Sequence, residues 1–251
     1  MLARKLLAAG GFDAASVAYF AAMSSQPSRA RKKLINKMIA GLKADGLWAK
    51  ISWLSLLASH DSQSGRLNAK DPTKSFTVNG TTTFTADRGF AGDGSTGYLD
   101  AGETPQAAGL FGQDSAFMSV YFNVLGSGGG KANCGHGNGT SGVHFYNSNW
   151  AKLNNTAYMF PTNPFAVGLS TITRTASNAG KFYADGSPNG TFSNASVALV
   201  TGNMRALAAG TSGQMTDGRC AFMAWGSSLS DSDAAALYSR VGAYLTAIGA
   251  N

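Results

Sequence analysis

Gly180-Lys181-Phe182-Tyr183-Ala184-Asp185-Gly186-Ser187-Pro188-Asn189-Gly190 reads as two short strands folded about a tight turn. Asp-Gly supplies the positive-φ positions that such a turn needs, and the aromatic pair ahead of it suits a pleated, half-buried surface. The same texture spreads outward from this stretch. Candidate strands are Thr81–Ala86, Gly97–Ala101, Ala116–Val124, Val143–Tyr146, Phe165–Thr175, Gly180–Ala184, Val197–Thr201, Met204–Ala208 and Cys220–Trp225. Gly, Asn, Asp and Ser separate them. In Ala116–Val124, Phe117 and Tyr121 alternate with Met118, Val120 and Phe122, so apolar groups lie on both faces. No helical pattern separates these strands, which excludes a parallel α/β sheet and leaves an antiparallel sandwich or barrel. Composition agrees: 32 glycines suit many turns, and 13% charged residues is well under the ~25% of ordinary domains.

The flanks are helical. Asp13 is placed to cap a helix running to Met23, and Ser28 to cap a second. In the second, Leu34, Ile35, Met38, Ile39 and Leu42 form one apolar stripe that ends at Asp45-Gly46. Leu47 to His60 places Trp48, Ile51, Leu54 and Leu57 on one face and is expected to be a third helix. Ser230, followed by Asp231 and Asp233, opens a helix expected over 230–248. Residues 1–60 hold nine Lys or Arg against Asp13 and Asp45, whereas residues 61–251 hold eleven of each sign. All of the net charge of +7 therefore belongs to the first sixty residues. Arg29, Arg31, Lys32, Lys33 and Lys37 crowd the N-terminal half of one helix, where the dipole disfavours cations, and no acid sits among them. That cost points to an acidic partner surface.

Three segments in this order resemble the concanavalin A-like, laminin-G-like family of jelly-roll sandwiches. They are Asp87-Arg-Gly-Phe90-Ala-Gly-Asp-Gly94-Ser-Thr-Gly-Tyr98-Leu-Asp100, the hairpin Gly180–Gly190, and Ala224-Trp225-Gly226-Ser-Ser-Leu229-Ser230-Asp231. The resemblance implies one mainly β domain over 61–251 carried on a basic helical segment, 1–60. The run Leu42-Lys-Ala-Asp45-Gly46-Leu-Trp48-Ala-Lys50-Ile51 ahead of it is similar to proteins encoded among tailed-bacteriophage structural genes. This implies a virion component of tail, fibre or capsid decoration, a homo-oligomer or present in many copies in the particle, and docked on other virion proteins. Deleting residues 1–60 is then expected to leave a folded sandwich. A lectin-like, carbohydrate-binding module is the alternative, with Trp150 or Tyr158 as stacking platforms for host-surface glycans.

Catalysis is not expected. Glycosidases of this fold need paired carboxylates, commonly Glu-x-Asp-x-x-Glu, and Glu103 is the chain's single glutamate. No Gly-x-Ser-x-Gly elbow is present, and Gly126–Lys131 lacks the Gly-Lys-Ser/Thr ending of a phosphate loop. Cys134, His136 and His144 form a conceivable zinc set, but their spacing matches no standard pattern, so ordinary histidines are expected. No cofactor is expected; calcium is the ion that some relatives of the fold hold, and Asp93, Asp100 and Asp185 are the available carboxylates. Cys134 and Cys220 are expected to be buried free thiols. Asn79, Asn138, Asn154, Asn189 and Asn194 match the glycosylation sequon, but in a chain this rich in Asn and Thr they carry no weight. The apolar run after Arg4-Lys5 stops after four residues, short of a signal peptide, and no stretch reaches the ~20 residues of a membrane span. The expected location is the virion, assembled in host cytoplasm. Nucleic acid is disfavoured as a partner because no stacking platform accompanies the basic cluster.

Overall fold

The computed structural model describes residues 11–127, 132–137, 141–146, 150–209 and 214–251. Met1–Gly10, most of Gly126–Lys131 and the sequon at Asn138 lie outside them. Two antiparallel sheets face each other in a jelly-roll sandwich. The larger runs β12 (Ser187–Phe192), β11 (Ala179–Ala184), β10 (Gly168–Ala176), β6 (Ala116–Val124), β14 (Arg219–Gly226), β4 (Gly89–Gly92) and β3 (Thr82–Thr85), with β1 (Ile51–Ser55) also paired to β14. The smaller runs β2 (Thr77–Asn79), β5 (Tyr98–Asp100), β13 (Arg205–Ala206), β7 (Ala132–Gly137), β8 (Gly142–Tyr146) and β9 (Trp150–Leu153).

The pleat sorts each strand between two cores. Between the sheets lie Met118, Val120 and Phe122 of β6, with Ile172, Phe182, Cys220, Met223 and Trp225 from the same sheet. Leu99, Cys134, Val143, Phe145, Ala151 and Leu153 meet them from the smaller sheet. Trp53 stacks on Trp225 at 4.9 Å and 9°, and its indole N–H donates to Ser55 Oγ over 2.8 Å. The opposite face of the larger sheet presents Phe117, Tyr121, Leu169, Phe222 and Ala224 to a layer of helices. That layer comprises α1 (Ala14–Ala21), α2 (Arg29–Ala44) and α4 (Asp231–Ala247), while the short α3 (Ser62–Arg66) follows β1. Asp13, Ser28 and Ser230 cap α1, α2 and α4 through their side chains, and Ser230 with Asp233 completes a capping box.

Two expectations are corrected. Leu47 to His60 is not a third helix: a short 3-10 turn, Leu47–Ala49, gives way to β1. All five residues of β1 are buried, so the strand shows no alternation, and an apolar run covered on both faces can mimic a helical stripe. Val197–Thr201 is also not a strand; Val197 N–H donates instead to the Asn154 carbonyl over 2.8 Å. The helices do not stand apart from the sandwich. Tyr19, Phe20, Ile35, Met38, Ile39 and Leu42 share one core with Leu54, Phe117 and Phe222, so the larger sheet has a covered outer face.

Candidate ligand-binding face

With the larger sheet covered, the outer face of the smaller sheet carries the polar and aromatic groups. Leu99, Ala206, Val143, Phe145, Ala151 and Leu153 point into the core, so their strand neighbours Tyr98, Asp100, Arg205, His144, Trp150 and Lys152 point outward. Register then draws them into one row. Asp100 pairs with Arg205, Ala206 pairs with Cys134 so that Arg205 stands beside Gly135, Gly135 pairs with His144, and His144 pairs with Lys152.

Each member has a defined setting. Asp100 accepts from Gly102 N–H at 2.8 Å and Asn203 Nδ2 at 2.9 Å, and faces Arg205 Nε at 3.4 Å. The Arg205 guanidinium lies 4.7 Å from the centroid of the Tyr98 ring. Gly135, at φ +118, cannot be replaced cheaply, because a Cβ there would fall 2.0 Å from the Val143 carbonyl oxygen. His144 is 4% exposed, and burial together with the Lys152 charge pushes its pKa down to about 4. Burial likewise lowers His136, helped by the charge of Arg205. Lys152 is 3% exposed, its pKa lowered by burial, and its Nζ sits 4.4 Å from the centroid of the Tyr158 ring.

Tyr158 is held in place by a returning segment. Ala151 and Met159 exchange main-chain hydrogen bonds of 2.9 Å, and Asn155 bridges Leu153 N–H and the Ala157 carbonyl. Met159 enters the core, while Tyr158 and Phe160 remain 43% and 66% exposed. Trp150, half-buried, meets Tyr158 edge to face. The two aromatics proposed from sequence as platforms are therefore neighbours at one sheet edge and not core residues. Lys152 and Arg205 escaped the sequence reading. The one signal for Lys152 was its alternation with the inward Ala151 and Leu153.

Other sequence candidates fall elsewhere. The five-cation cluster on α2 divides: Arg31 pairs with Asp87 at 2.7 Å and Lys32 lies 5.5 Å from the centroid of the Phe20 ring, whereas Arg29, Lys33 and Lys37 are exposed. An acid remote in sequence thus compensates one cation. Cys134 faces the core and His144 the outside, so the pleat keeps that zinc set from converging. Asp93 wraps its own turn, accepting from Ser95, Thr96 and Gly97 N–H; Asp185 accepts from Leu169 N–H. Among the described residues no group of three or more His, Cys, Asp or Glu could hold a metal. Cys134 and Cys220 are free and fully buried between the sheets, and burial raises the Cys220 thiol well above its usual range. Among the described residues no helix is long and apolar enough to cross a membrane.

Solved structures share this architecture. The botulinum neurotoxin serotype D binding domain matches with a TM-score of 0.52 and 12% identity, over 76% of this chain and 52% of that one. Trypanosoma rangeli sialidase in complex with 2-keto-3-deoxy-D-glycero-D-galacto-2,3-difluoro-nononic acid matches with a TM-score of 0.51 and 11% identity, over 82% of this chain and 39% of that one. This chain thus corresponds to about half of the toxin domain and about two fifths of the sialidase. At these identities the likeness establishes the β-sandwich fold and no more. No family model matches the chain, and no curated protein matches it.

Proposed function

We propose that the chain is a non-catalytic carbohydrate-binding module whose ligand lies on the outer face of the smaller sheet. The observation that carries this reading is the Trp150–Tyr158 pair beside the row Asp100, Arg205, His144 and Lys152. An exposed aromatic face stacks on the apolar side of a sugar ring, and adjacent donors and acceptors meet its hydroxyls. The matched structures support it as far as their names go: one is a binding domain and the other holds a nononic acid derivative. A glycan array probed with the full chain tests the reading. Saccharide hits that weaken about tenfold or more in Tyr158→Ala and Trp150→Ala are expected; hits unaffected by both substitutions would place binding elsewhere, and no hits would overturn the reading.

A second reading has one observation in its favour. Arg29, Lys33 and Lys37 are exposed on α2, and Lys37 lines, with Leu34, Met38, Arg240, Ala243 and Tyr244, a groove of about 310 Å³ between α2 and α4. The groove and its basic rim fit docking on an acidic surface of a neighbouring protein, as in a tailed-phage particle. Charge reversal of these three residues tests it: assembly into particles should fail, and unaltered assembly would remove it.

A further inference from the structure

We infer that the saccharide held by this face is acidic, its carboxylate or sulfate group seated on the Lys152 ammonium; the inference rests on the carbohydrate-binding reading above. Lys152 is the anomaly of the face. Lys152 is only 3% exposed, yet no ion pair among the described residues includes it. The chain has 13 acids and every one lies in the described part, so none is held in reserve elsewhere. The acid of its own row, Asp100, is occupied by Arg205, Asn203 and Gly102. Burying a cation without a counter-charge is costly, and proteins ordinarily pair such a group or use it.

The surroundings leave room for this side chain. Gly142 is bare beneath the lysine stem: a Cβ there would fall 2.8 Å from Lys152 Cδ and 2.9 Å from its Cβ. Gly137 makes the same room beside His144, where a Cβ would fall 2.5 Å from Nδ1. The two glycines leave room for the stem and for the imidazole, and the ammonium lies over the Tyr158 ring, 4.4 Å from its centroid, so a saccharide that reaches this ring reaches the cation as well. The cation–π contact supplies only part of what a counter-ion would. His144, neutral above its depressed pKa, leaves Lys152 as the charge at this end of the row.

The test is a glycan array holding neutral, carboxylate-bearing and sulfate-bearing saccharides, probed with the full chain and with Lys152→Gln and Lys152→Arg. Hits confined to acidic saccharides are expected, weakened at least about tenfold in Lys152→Gln, largely kept in Lys152→Arg, and reduced by added salt. The chemistry of the hits separates carboxylate from sulfate. Hits among neutral saccharides alone, or acidic hits that Lys152→Gln binds as well as the parent, would overturn the inference and leave the saccharide reading standing. No hits of any kind would overturn both. Circular dichroism and melting of each variant separate a folding defect from a binding one. Should Lys152→Gln fail to fold, Lys152→Arg with the salt dependence decides: salt-insensitive binding of acidic hits overturns the inference.

Discussion

Arg174 Nε donates to the main-chain carbonyl of Leu153 over 2.9 Å, so one buried guanidinium links β10 of the larger sheet to β9 of the smaller. Its Nη1 also donates to the carbonyls of Ser177 at 2.9 Å and Asn194 at 3.0 Å, and the group lies 5.1 Å from the Phe192 ring centroid. The direct acceptors of this charge are carbonyl oxygens, with the Asp114 carboxylate acting on it through space. Arg174→Ala leaves those acceptors buried and unpaired, and should cost roughly 3–5 kcal/mol in urea denaturation. Arg174→Lys keeps the charge but loses the fork, and should recover only part. A loss under about 1 kcal/mol for Arg174→Ala would show that the link does not hold the sheets together.

Stability should fall with acid through His144. Its folded pKa lies near 4 against an ordinary 6.5, so between those values the unfolded chain binds a proton that the folded chain refuses. The contribution is complete above pH 6.5 and is lost progressively as pH falls toward 4, up to roughly 3 kcal/mol. His144→Gln should flatten that limb of a denaturation-versus-pH curve, and an unchanged slope would sink the assignment.

Gly135→Ala should damage both fold and face. Its positive φ and the Val143 carbonyl in the way of a Cβ predict a loss of roughly 2–4 kcal/mol, with β7 and β8 forced apart. Hydrogen exchange localises the effect: faster exchange confined to the smaller sheet is expected, and native-like protection there would contradict it.

A chain beginning at residue 61 should not yield the folded sandwich that the sequence alone suggested. It lacks β1 and its Trp53–Trp225 stack, and it uncovers Phe117, Tyr121, Leu169 and Phe222. Each large side chain so exposed costs about 1.5–3 kcal/mol. Aggregation or a loss of cooperative unfolding is expected; a soluble truncated chain with a sharp melting transition would show that the helical layer is dispensable.

Local signals carried far along this chain. Asp13, Ser28 and Ser230 were legible as caps because capping is a contact within a few residues, and each caps its helix here. Ala116–Val124 was legible as a strand and is one, and Asp185 sits at φ +48 in the hairpin turn read from Asp185-Gly186. β1 was not legible, because a strand buried on both faces loses the alternation that identifies strands. Of the candidate face, Trp150 and Tyr158 were readable as candidate stacking platforms, but their meeting was not. It depends on the Ala151–Met159 bridge that folds the chain back on itself.

The sequence by itself determined the architecture: an antiparallel sandwich with capped helices at both ends, and an excess of positive charge in residues 1–60. These follow from periodicity, turn chemistry and composition, which act between near neighbours. Tertiary structure alone decided which sheet the helices cover and what stands on the outer face of the other. The helices cover the larger sheet because their apolar stripes and its outward aromatics each need burial, and neither record shows the other. The row Asp100, Arg205, Gly135, His144 and Lys152 is a product of register among strands widely separated along the chain. Hydrogen bonding between strands sets that register, and the same packing leaves Lys152 buried with no acid beside it.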